Sequence, residues 1–232
     1  MSGPVSMTSS GRGVREEGGD GRVLRWLGAM AVAYALSHHV GFGLAWMGET
    51  AERTRWADWV DVATPYAVLL TAAGALRAGG AGGRVWALFL VGAITYVEGH
   101  GVHLAANSVG NVDPGAVAHF WDEYVGHYLW YGGLVVVFAA LMAGLGDRAA
   151  AWRPVPVAAA VLSGVTFTTN ALEGRFAVPG LVVCAVFTWW GLSARGRLGG
   201  LAAAVAAPAL VMLVIYGVWH GGFPEPSAIG WV

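Results

Sequence analysis

Between residues 96 and 131 the chain reads YVEGHGVHLAANSVGNVDPGAVAHFWDEYVGHYLWY, which sets four histidines, two glutamates and two aspartates in a very apolar stretch. Glu123-x-x-x-His127 is an i, i+4 carboxylate–imidazole pair able to clamp one metal ion, and His100-x-x-His103 has the spacing of helical metal sites. Facing pairs on neighbouring helices supply three or four nitrogen and oxygen ligands, which suits Zn²⁺ first and also iron, copper or haem. The expected ligands are therefore His100, His103, Glu123, His127 and, from near the C-terminus, His220. Glu98, Asp122 and Glu173 are the expected acid/base groups. His38, His39, Asn107, His119, Asn170 and Tyr216 are expected to support them. Ionisable side chains within apolar spans are costly, so they mark a functional site by default.

Helical phase sorts these residues. Tyr96, His100, His103 and Asn107 follow +4, +3 and +4 spacing and make one stripe at about 100° per residue. His119, Glu123 and His127 make a second, and Thr166, Thr169, Asn170 and Glu173 a third. Glu98 is roughly 200° from His100, so either that helix has two polar faces or Gly99 and Gly101 distort it. Asn107 and Ser108 read as the end of the helix that carries His100. Glu173 and Arg175, flanking Gly174, read as an exposed ion pair.

The elements that must hold these groups are apolar segments near the roughly 20 residues that cross a bilayer. They are expected at 23–46, 58–78, 85–106, 119–145, 152–172, 176–194 and 199–221, separated by glycine- and proline-bearing turns such as Asp113-Pro114-Gly115. Pro154, Pro156 and Pro179 fall in first helical turns, and Pro208 is expected to kink the last helix. The fold class is thus all-α: a polytopic bundle of seven transmembrane helices over residues 23–221. Residues 1–22 form a disordered cytoplasmic tail and 222–232 a short extracytoplasmic one. Ten of the thirteen arginines (Arg12, Arg15, Arg22, Arg25, Arg77, Arg84, Arg148, Arg153, Arg195 and Arg197) lie in the tail and alternate turns, against Arg53, Arg55 and Arg175 on the other side. The positive-inside rule then makes the N-terminus cytoplasmic and the C-terminus external. All seven histidines fall toward the outer side.

Composition agrees. The 232 residues are 56% hydrophobic and 12% charged, with 36 glycines, 12 tryptophans and a mean hydropathy of +0.59; soluble domains carry about 25% charged residues. A net charge of −1 gives no basis for nucleic-acid binding. Cys184 is the single cysteine, so no intrachain disulfide forms, and its apolar setting reads as packing. The chain has no lysine, which excludes a retinal Schiff base, and no P-loop or Ser-His-Asp elbow.

Seven helices with histidine, aspartate and serine near one membrane face resemble the alkaline-ceramidase and adiponectin-receptor superfamily of zinc amidohydrolases. The resemblance covers helix count and ligand types. That family's Ser-x-x-x-His does not occur in the early helices here, and the last helix offers only His220 in place of His-x-x-x-His. The expectation is a cell-membrane, multi-pass, zinc-dependent hydrolase acting at the outer leaflet on a lipid or other hydrophobic amide or ester. A redox protein acting on lipid or quinone and a proton-coupled transporter or channel are the alternatives. The sequence leaves the oligomeric state open.

Overall fold

The computed structural model describes residues 10–44, 47–50, 54–149 and 154–231. Readings that fall on residues 1–9, Glu52, Arg53, Trp152, Arg153, or the side chains of Arg12, Arg15 and His38 lie outside the described residues. Of the described residues 85% are helical and none forms a strand. The helices are α1 (Ser10–Leu44), α2 (Trp56–Ala78), α3 (Gly83–Val112), α4 (Ala116–Leu145), α5 (Pro154–Glu173), α6 (Ala177–Ser193) and α7 (Arg197–His220). Among them α2, α3, α4, α5 and α7 are long and apolar enough to cross a membrane, and α6 is a shorter apolar helix. The chain is therefore a membrane-type helical bundle.

The bundle's surface supports that description. Leu70, Ile94, Val182, Val218 and Trp219 each expose more than 60% of their area, far more apolar surface than a soluble monomer shows. Buried hydroxyls are satisfied locally instead: Thr166 Oγ1 donates to the Leu162 carbonyl at 3.0 Å and Thr168 Oγ1 to that of Gly164 at 2.9 Å. Such back-bonding is how a dry interior tolerates threonine. It also accounts for much of the polar stripe expected on this helix.

Central to the core is α4, whose Tyr131, Leu134 and Val137 are almost wholly buried. It lies against α3 along four glycines, Gly92 and Gly99 on one helix and Gly126 and Gly133 on the other. A Cβ on Gly99 would stand 2.1 Å from the Trp130 amide nitrogen, and one on Gly126 2.7 Å from the backbone of His103. Only glycine permits backbones this close, as in other small-residue membrane interfaces.

Two ends differ chemically. At one, Arg148 donates to Asp20 (3.0 Å) and to the Gly79 carbonyl (2.8 Å), while the Arg195 amide donates to Asp147 (2.9 Å). These bonds gather the early part of α1 and the α2–α3, α4–α5 and α6–α7 turns. At the other end, residues 222–231 fold back over the bundle. There the Tyr216 hydroxyl donates to the Pro224 carbonyl at 2.8 Å, and Trp231 packs edge-on to Tyr216 and His220.

Candidate metal centre

The helix carrying His119, Asp122, Glu123 and His127, α4, is not uniformly α. From Phe120 to Gly126 it widens into a π-helical segment, and the His127 amide donates five residues back to the Asp122 carbonyl. In an α-helix residues i and i+5 lie about 140° apart at 100° per residue. In a π turn, which bonds i to i+5, they stack on one face. Asp122 and His127 therefore share a face that α periodicity denies them. His119, expected on one stripe with Glu123 and His127, is exposed and packs edge-on to Tyr124 at 6.4 Å.

Across the glycine contact from α4 stands His103. Its Nδ1 lies 2.5 Å from Asp122 Oδ1, and its ring centroid is 4.4 Å from that of His127. His103, Asp122 and His127 each bring one ligating atom, and the three atoms lie within 4.8 Å of one another. His127 is buried, the other two half-buried. Beside them, Glu123 Oε2 is 3.4 Å from His127 Nδ1, and both atoms are buried without a hydrogen bond. A buried imidazole nitrogen and carboxylate oxygen left without a hydrogen bond beside a three-donor group fit a cation there, because buried polar atoms without one are otherwise rare and costly.

Arg175, in the α5–α6 turn, caps this constellation with a backbone φ of +52°. Its guanidinium is 4.0 Å from Glu123 Oε2, hydrogen-bonds the Tyr124 hydroxyl at 2.8 Å, and pairs with Glu225. Desolvation works against its charge, yet Glu225 and Tyr124 outweigh it and hold its pKa above the usual guanidinium value. The expected Glu173–Arg175 pair does not form. Glu173 instead accepts from the amide (2.9 Å) and hydroxyl (2.7 Å) of Ser227.

His100 is placed differently from His103. It is 1% exposed, and its Nε2 lies 2.9 Å from the Asp61 carbonyl. That carbonyl would normally accept the amide of residue 65, which is proline and has none. His100 thus donates through Nε2 to a carbonyl orphaned by Pro65, a structural bond between α3 and α2. Trp130 stands edge-on to it at 4.4 Å.

The remaining expected residues are not gathered with the three-ligand group. Glu98 lies on the exposed face of an undistorted α3, which explains its phase offset from His100. His220 packs against Tyr216 with ring centroids 4.4 Å apart and the rings tilted by 41°, its Nε2 buried without a hydrogen bond. His39 is exposed, 3.4 Å from Thr166 Oγ1. Asn170 hydrogen-bonds the Tyr34 hydroxyl at 3.2 Å, and its carbonyl accepts from Tyr131, whose ring stacks on His127 at 5.6 Å. Asn107 and Ser108 do not end α3, which continues to Val112; Asn107 accepts from Asn111 at 3.3 Å and Ser108 donates to Asp58 at 3.4 Å. Sequence reasoning missed Tyr124, Tyr131 and the part played by Arg175. Pro65, four residues after Asp61, was a readable sign that a donor from another helix was needed. No protein-family model, curated protein or solved structure matches the chain.

Proposed function

We propose that this chain is a seven-span integral membrane metalloenzyme, with α1 and α6 as two further spans, that hydrolyses an amide or ester of a lipid or other hydrophobic molecule at the outer leaflet of the cell membrane. The observation carrying this reading is the convergence of His103, Asp122 and His127 within 4.8 Å, with Glu123 Oε2 and His127 Nδ1 buried there without a hydrogen bond. Three protein ligands with a further position open is the pattern of catalytic zinc, and two nitrogens with one oxygen suit zinc, with iron and copper next. The chemistry such an ion supplies is Lewis-acid polarisation and activation of water.

The protein's own groups divide the remaining work. Glu123 is the proton acceptor, beside the ligand cluster and 4.0 Å from the Arg175 guanidinium. Phe120, Trp121, Tyr124 and Tyr128, all more than 40% exposed, make an aromatic rim where amphipathic rings favour the headgroup level. That rim is the feature favouring an amphiphilic substrate.

Full-length protein purified in detergent and loaded with zinc should retain about one ion per chain by elemental analysis. His103→Ala and His127→Ala should lose it. Absence of stoichiometric metal, or its retention in both variants, overturns the reading. A second reading, a redox centre acting on lipid or quinone, is favoured by the aromatic rings against the ligands: Trp130 is 5.1 Å from His103 and Tyr131 stacks on His127. The absorption spectrum separates the two, because zinc is colourless whereas copper, iron or haem is not.

A further inference from the structure

At the arginine-bearing end lies a feature that the metal centre does not use. A groove of about 1460 Å³ runs between α1, the end of α4, α5 and α7. It exceeds the roughly 300–1,000 Å³ of sites for drug-sized ligands. Its walls are largely apolar, with Leu24, Met142 and Leu201 among them, and it reaches inward to Tyr34. From Arg25 to Tyr34 is about 13 Å along α1, close to one leaflet of a hydrocarbon core about 30 Å thick. On the α1 wall, a Cβ at Gly28 would meet nothing within 4 Å. Gly28 thus faces open space, whereas the glycines of the α3–α4 contact are filled by a neighbouring helix.

Charge marks the mouth. Arg25, Arg195 and Arg197 line it, exposed, and among the described residues their side chains make no ion pair. The two carboxylates there are engaged: Asp20 holds Arg148, and Asp147 accepts the Arg195 amide. A wholly apolar ligand would leave three guanidinium groups unmatched. A small soluble anion would leave the walls empty. An amphiphile with an anionic phosphate head answers both, and basic pockets between helices on the arginine-rich side are where such headgroups bind.

We propose that this groove binds one anionic phospholipid, its acyl chains lying along α1 toward Tyr34 and its phosphate among Arg25, Arg195 and Arg197. The site is separate from the metal centre and stands whether or not that centre is catalytic.

Native mass spectrometry of the full-length protein tests it, with phosphatidylglycerol, phosphatidylcholine and inorganic phosphate offered separately. One phosphatidylglycerol should be retained per chain, at least about tenfold more tightly than phosphatidylcholine, and phosphate alone should not be retained. Replacing the three arginines with glutamine should abolish the preference, and replacing them with lysine should keep most of it. Gly28→Trp, which fills the groove, should remove the lipid and leave metal content unchanged. Equal retention of the two lipids by the unaltered protein overturns the proposal, as does retention of phosphate as tight as that of lipid. Survival of the preference in both the glutamine variant and Gly28→Trp overturns it too. Should either variant fail to fold, the unaltered protein and the lysine variant still decide the matter.

Discussion

His103 meets Asp122 through a contact between an imidazole nitrogen and a carboxylate oxygen 2.5 Å apart. Asp122→Asn keeps the shape but removes the negative charge. Because Asp122 is one of the three ligands, the substitution should cut zinc affinity by at least about tenfold, read by chelator competition, with the helical spectrum unchanged. Glu123→Gln should behave otherwise. As the proton acceptor it should lower turnover by about 10²- to 10⁴-fold while one zinc per chain remains. His100 makes a third case, since its bond goes to the Asp61 carbonyl that Pro65 leaves without a donor. His100→Ala should therefore leave metal content intact and cost about 1–3 kcal/mol of stability, measured as a fall in unfolding midpoint. Metal loss in His100→Ala with unchanged stability would reverse the assignment. These contrasts also show what sequence could supply. The residue types were legible from composition and spacing, and His103 and His127, both among the expected ligands, belong to the one three-donor group. The share of Asp122 in the donor group was not legible, because it depends on a π turn that nothing in FWDEYVG announces.

At the scale of helices, the site exists because α3 and α4 approach backbone to backbone. Each places glycines seven residues apart, Gly92 with Gly99 and Gly126 with Gly133, so two full turns repeat the same contact face. Gly99→Ala forces a Cβ to 2.1 Å from the Trp130 amide nitrogen, whereas Gly101→Ala meets nothing within 4 Å. The first should destabilise by about 1–3 kcal/mol and lower zinc affinity as His103 moves from His127. The second should do neither. Paired thermal denaturation and metal titration check both, and equal effects would mean the glycine contact does not set the centre's geometry. Most helix positions were readable from the apolar runs and their Gly/Pro breaks. The start of α1 at Ser10, inside the expected disordered tail, was not, because residues 10–22 are polar and glycine-rich. Nor was the six-residue extension of α3 to Val112, because Asn107 and Ser108 read as helix-ending residues when their partners on the next turn and on α2 are unknown.

Across the whole molecule, the two ends carry different chemistry: unpaired arginines over a greasy groove at one, and a three-donor cluster under a folded-back C-terminal segment at the other. Orientation in the membrane decides which compartment each end serves, and the arginine bias gives it a direction, since cationic turns near spans are retained on the cytoplasmic side. The proposed orientation puts the C-terminal segment outside; in the bundle it is tied down by Arg175 to Glu225 and by Glu173 to Ser227. Cys184, buried in α6, is the only natural thiol, so Cys184→Ser provides a silent background in which single cysteines report position. Ser227→Cys, exposed, should react with a membrane-impermeant maleimide added to intact cells. Gly82→Cys, where a side chain meets nothing within 4 Å, should react only after the membrane is opened. The reverse pattern would put the donor cluster on the cytoplasmic side, and with it the substrate leaflet. Because both ends belong to one bundle, the same result would move the proposed lipid groove to the outer leaflet, so this labelling experiment fixes the setting of both sites at once.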